Sequence, residues 1–223
     1  MHNYTKGLIT LFKQQGSAEQ AAGAKAYMRN QFEFFGLNAP VWRKLFREYS
    51  KQHLPPFEEA ELIIKELWNM PQRELQFAAI ELLALYKKEW DKKVIALIEF
   101  IIKNKSWWDT VDHAASELTG PYFKLFPEQV NKITGKWNQS SNCWLQRSSI
   151  MFQKNYKKTT DTELLSGYIL HLCHSKEFFV QKAIGWALRE YSKTDAKWVK
   201  AFLKKHKLAP LSEREALKRI SSK

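Results

Sequence analysis

The chain has 223 residues, 44% hydrophobic and 26% charged, with 8 glycines and 7 prolines. That balance fills a core for one domain or two small ones, and excludes disorder and long irregular loops. The net charge is +13, and two cysteines outside any CxxC pair, Cys143 and Cys173, exclude a disulfide scaffold or a cysteine-rich zinc site.

The charge is uneven: residues 1 to 120 carry a net +1 and residues 121 to 223 a net +12. A field concentrated in one half favours a polyanionic partner such as DNA or RNA; a solubilising basic surface is the plainer alternative. The longest apolar stretch, residues 94 to 102, is broken by Glu99 and falls short of a membrane span. The first residues lack the basic-then-apolar order of a secretory signal, so the expected location is cytoplasmic.

Apolar residues recur at helical spacing, and no convincing run alternates with period two. Ser17 with Gln20 predicts a capping box for a helix through Asn30, and Pro40 opens the next helix. Pro71 fits the first turn of another, where its missing N–H costs nothing. Ser106 and Asp109 read as caps of WWDTVDHAASEL, and Thr160 with Glu163 caps a further helix. The expected class is all-α, with short connections.

The helices repeat. QFAAI, QRSSI and QKAIG begin at Gln76, Gln146 and Gln181, spaced by seventy and then thirty-five residues, and Tyr86, Tyr156 and Tyr191 keep the same register. A unit of about two helices cannot close a core alone, so neighbours must stack into an α-solenoid. The period also suits tetratricopeptide repeats, but their signature is missing and a HEAT-like stack is preferred. No composition break divides the chain, which reads as one domain over residues 1 to 223.

Equivalent positions line one face of such a stack. The column runs Trp42, Phe77, Asp112, Arg147, Lys182, changing from aromatic to charged where the charge asymmetry begins. Trp108 precedes Asp112 by one helical turn, and Trp186 lies four after Lys182 and three before Arg189. A carboxylate held against indole rings acts strongly on a developing cation; the simpler alternative for Asp112 is an ion pair with Arg147 of the adjacent repeat. The indoles offer stacking or cation–π surfaces, or else pack between repeats. Trp68, Trp90, Trp137 and Trp198 read as core. His171, Cys173 and His174 lack the further ligand a metal needs, and no phosphate loop, HExxH or GxSxG occurs.

The segments at 105 to 120 (KSWWDTVDHAASELTG), 142 to 153, 175 to 191 (SKEFFVQKAIGWALREY) and 208 to 220 (LAPLSEREALKRI) resemble AlkD-type DNA glycosylases of the HEAT-like-repeat DNA alkylation repair family. The likeness extends to 27 to 37 and 66 to 79, while 121 to 141 matches less well. The resemblance implies a concave basic groove that holds double-stranded DNA and releases positively charged N3- and N7-alkylated purines, the base left in the stack. It places the catalytic carboxylate on Asp112, two sugar-facing indoles on Trp108 and Trp186, a phosphate-contacting arginine on Arg147 and a lesion-side tyrosine on Tyr27. Lys182, Arg189 and Arg43 are further candidate DNA contacts. The implied enzyme is monofunctional and needs neither metal nor cofactor, and an exposed groove with high positive charge favours a monomer. The competing expectation is a non-enzymatic HEAT-like module binding nucleic acid or an acidic protein.

Overall fold

The computed structural model describes residues 1–220. Among them the only β pairing is an isolated bridge between Glu33 and Gln72, so the all-helical class holds. No helix among the described residues is long and apolar enough to cross a membrane. The chain divides into two compact units, Met1–Lys93 and Val94–Lys223, a boundary that composition does not mark.

The first unit contains α1 (Asn3–Gln15), α2 (Ala18–Tyr27), α3 (Ala39–His53), α4 (Phe57–Asn69) and α5 (Arg73–Leu85). Ser17 caps α2 by accepting from the Gln20 amide at 3.4 Å. The helix stops at Tyr27, short of the expected Asn30, because Arg29 and Asn30 take φ of 54° and 58°; left-handed backbone cannot continue a right-handed helix. Asn38 caps α3, with Pro40 in its first turn. Pro71 departs from expectation. A proline pushes the residue before it out of the α region, and Met70 is accordingly extended, so Pro71 ends α4 and α5 begins only at Arg73. Leu8, Phe12, Phe46, Ile63, Trp68 and Leu82, each at most 1% exposed, form the core of this unit.

The second unit contains α6 (Val94–Lys103), α7 (Trp108–Ala114), a π-helical turn (Ala115–Thr119) and α8 (Gly120–Leu125). There follow α9 (Val130–Asn138), α10 (Cys143–Met151), α11 (Thr162–Leu172), α12 (Phe178–Tyr191), α13 (Ala196–Lys205) and α14 (Pro210–Leu217). Two capping expectations change. The Ser106 hydroxyl donates backward to the Ile102 carbonyl at 2.6 Å, tying off α6, and no side chain caps α7. Asp109 instead sits in the first turn of α7, where a carboxylate meets the positive end of the helix dipole. The cap of α11 is Asp161, which accepts from the Leu164 amide at 2.9 Å, rather than Thr160.

The repeats are physical. Gln76, Gln146 and Gln181 each donate their side-chain amide to a carbonyl six residues upstream, on Met70, Ser140 and Ser175, at 3.0, 2.7 and 2.8 Å. The same residue closes the same turn ahead of α5, α10 and α12. Tyr86 and Tyr156 donate to the carbonyls of Pro55 and Gly120, while Tyr191 packs edge-on against Trp198. Trp68, Trp90 and Trp137 are buried; Trp198 is half-buried and stacks on Phe202.

Candidate functional site

The column expected from the repeat is formed pairwise. In the first unit the Trp42 and Phe77 rings stack at 5.5 Å with 10° between their planes. In the second, Asp112 on α7 and Arg147 on α10 meet as a bidentate pair, Nε to Oδ1 and Nη2 to Oδ2, each at 2.7 Å. The third guanidinium nitrogen, Nη1, donates to the Phe179 carbonyl at the start of α12 at 2.6 Å. The Arg147 side chain is 1% exposed and that of Asp112 12%. The pair is therefore buried on the arginine side and opens to solvent only through the carboxylate.

Fork-on-carboxylate geometry fixes the orientation of both side chains. The ion-pair alternative read from the sequence is thus present. The arginine expected to meet a phosphate has its donors turned inward, on Asp112 and a main-chain carbonyl.

Trp186 adjoins this pair. Arg147 Cζ lies 5.3 Å from its ring centroid, Lys182 Nζ 5.4 Å and Arg189 Cζ 5.5 Å. The indole Nε1–H donates to Glu215 of α14 at 3.1 Å. Glu215 also accepts from Lys182 and Lys218 at 2.7 Å and from Arg189 at 3.1 Å. Burial by itself would raise its carboxyl, but hydrogen bonds from Lys182 and Lys218, the Lys182 charge and the Trp186 indole hold it down to about 2. Two carboxylates, Asp112 and Glu215, thus stand among four cations: Arg147, Lys182, Arg189 and Lys218.

Trp108 opens α7 one turn ahead of Asp112 and is half-buried. Tyr27 and Arg43 belong to the first unit. Tyr27 ends α2 with 72% of its surface exposed. Arg43 lies 4.9 Å over the Trp42 ring, its Nε 3.7 Å from Glu81. The loop after Tyr27 is tied down by the buried Glu74, which accepts from the amides of Phe35, Gly36 and Leu37. Gly36, at φ 84°, supplies the left-handed residue that this turn needs. Among the described residues no group of three or more His, Cys, Asp or Glu could hold a metal ion.

Two features escaped the sequence reading. One is Glu215, which stands thirty-three residues after Lys182, where strict register points to Leu217. The other is a half-buried aromatic trio at the starts of α7, α10 and α12. Trp107, Trp144 and Phe179 pack with ring centroids 4.8 to 6.0 Å apart. Trp144 and Phe179 are spaced by thirty-five residues, so the repeat period held the signal for the second.

The model of the family described as DNA alkylation repair enzymes matches residues 8–220. A solved structure from Enterococcus faecalis, a predicted DNA alkylation repair enzyme, superposes with a TM-score of 0.85 at 32% identity, covering 93% of this chain and 98% of that one. No curated protein matches. A family match over nearly the whole chain, joined to this likeness in structure, shows that the chain belongs to the DNA alkylation repair enzyme family.

Proposed function

We propose that the protein is a monofunctional DNA glycosylase of AlkD type, hydrolysing the N-glycosidic bond of positively charged N3- and N7-alkylated purines in double-stranded DNA. The observation that carries this reading is Asp112, a carboxylate held in one orientation by Arg147, with the Trp186 indole beside that arginine.

The chemistry follows from charge. Alkylation at N3 or N7 makes the purine cationic, so it departs neutral and needs no general acid. The C1′–N bond breaks with its electron pair going to the purine, leaving positive charge on the deoxyribose. Asp112 stabilises that charge by Coulomb attraction at low local dielectric and accepts a hydrogen bond from the attacking water, whose oxygen bonds to C1′ and whose proton leaves to solvent. Trp108 and Trp186 flank the sugar. The duplex lies where α7, α10 and α12 present these residues, its base left stacked, and Tyr27 and Arg43 of the first unit are further DNA contacts.

Backbone phosphates are met by Lys182 and Arg189, half-buried and still reachable from solvent, while Arg147 aims the carboxylate. No lysine is needed as a Schiff-base nucleophile, and the protein acts as a monomer. A cytoplasmic, DNA-associated setting goes with this reading.

The test is release of 7-methylguanine from methylated duplex DNA in the presence of a chelator; no release by the wild-type protein defeats the proposal. The Asp112–Arg147 pair also favours a second reading, in which it is a structural tie of a non-enzymatic DNA-binding module. Under that reading Asp112→Asn tightens binding to the polyanion, because a repelling charge is lost, and there is no turnover to lose.

A further inference from the structure

We infer that Glu215 is a positioning residue of this site, holding the Trp186 ring in place and restraining Lys182 and Arg189 beside it. The inference rests on the glycosylase reading and names a residue which that reading does not use.

Glu215 has a side chain only 3% exposed, yet it bears four hydrogen bonds, from Lys182, Trp186, Arg189 and Lys218. A buried carboxylate needs donors for its several lone pairs. Here its two oxygens gather every cation of the Trp186 face apart from Arg147. The indole N–H is directional, so Oε2 fixes the rotation of the ring about its side-chain bonds. That rotation decides whether the ring face or its edge meets a sugar placed against Asp112. Lys182 and Arg189 are held the same way, on the carboxylate from one side and beside the ring from the other.

The backbone has been shaped to allow this. A Cβ on Gly185 would lie 2.4 Å from Glu215 Cβ and 2.7 Å from the Ser212 carbonyl oxygen. Only glycine at the residue before Trp186 lets α14 approach α12 closely enough for the carboxylate to reach the indole. Ser212 fastens the crossing with a hydrogen bond to the Gln181 carbonyl at 2.9 Å.

The experiment compares wild type, Glu215→Gln and Glu215→Ala in single-turnover release of 7-methylguanine, binding to an undamaged duplex against salt, and the Trp186 indole N–H resonance. In Glu215→Ala the rate should fall by roughly a hundredfold, the scale of a misplaced reacting group. Undamaged-duplex binding should be no weaker, with a steeper salt dependence, because one opposing charge is gone. The indole resonance should shift and exchange faster with solvent. Glu215→Gln keeps an acceptor for the indole and should recover most of the rate. Gly185→Ala, which removes no charged residue but drives α14 outward, should reproduce the loss of Glu215→Ala.

A wild-type rate in Glu215→Ala overturns the inference. So does an equal loss in Ala and Gln variants accompanied by weakened duplex binding and lowered Tm, which marks Glu215 as a fold residue only. If wild type releases no base, the glycosylase reading fails by itself. The indole resonance and the salt dependence then still decide whether Glu215 sets Trp186 and the two cations.

Discussion

Arg147 reaches across one repeat to grip Asp112 through two N–H groups, both at 2.7 Å, while its own side chain is almost wholly shielded from solvent. A buried pair of this kind contributes little net stability, yet losing one partner strands the other charge, at a cost of about 3–5 kcal/mol. Arg147→Met should therefore unfold at markedly lower denaturant concentration. Replacing both residues, as Asp112→Leu with Arg147→Met, should recover much of that loss. The double variant should still release no base, which separates the pair's contribution to folding from its part in the reaction.

Asp112→Asn keeps the volume and one acceptor oxygen but removes the charge. Turnover on methylated duplex should fall by roughly a hundredfold to a thousandfold, the scale on which a single preorganised electrostatic group acts. Helical content by circular dichroism and undamaged-duplex binding should be kept. Unchanged turnover would leave the carboxylate as an ion-pair partner and nothing more.

The Glu215 carboxyl is depressed from 4.5 to about 2 in the folded protein. Unfolding therefore takes up a proton between those values: the stabilisation is fully present above pH 4.5 and is lost as pH falls toward 2. Denaturant titrations across this window should show a shallower acid-side decline in Glu215→Gln than in wild type. Parallel declines would show that Lys182, Lys218 and Trp186 do not hold the carboxyl down.

Gln146 and Gln181 each satisfy a carbonyl that begins a repeat. Truncation to alanine should cost about 1–3 kcal/mol at each position, the penalty for a partly buried acceptor left unmet. The two losses should add in the double variant if each serves its own turn. Calorimetric or chemical unfolding reads both.

How much of this could be read from the residues is clearest in the column itself. The thirty-five-residue period placed Trp42 and Phe77, and Asp112 and Arg147, at equivalent places in adjoining repeats, and in the structure the members of each of these two couples touch. It did not extend to the last helix. Lys182 is paired with Glu215, two residues before strict register, because the close crossing at Gly185 sets where α14 meets α12. Helix ends were misread for a related reason: Pro71, Ser106 and Thr160 are each compatible with two local arrangements, and the neighbouring segment chooses between them.

The residues by themselves determined helicity and the repeat with its recurring glutamines, because those depend on apolar spacing and on side chains returning at a fixed period. Only the tertiary structure decided that Arg147 turns inward onto Asp112 and that Trp186 is held by Glu215. Partner choice between groups thirty or more residues apart is set by how closely two backbones approach and by which buried charges would otherwise remain uncompensated, and neither quantity is encoded in local spacing.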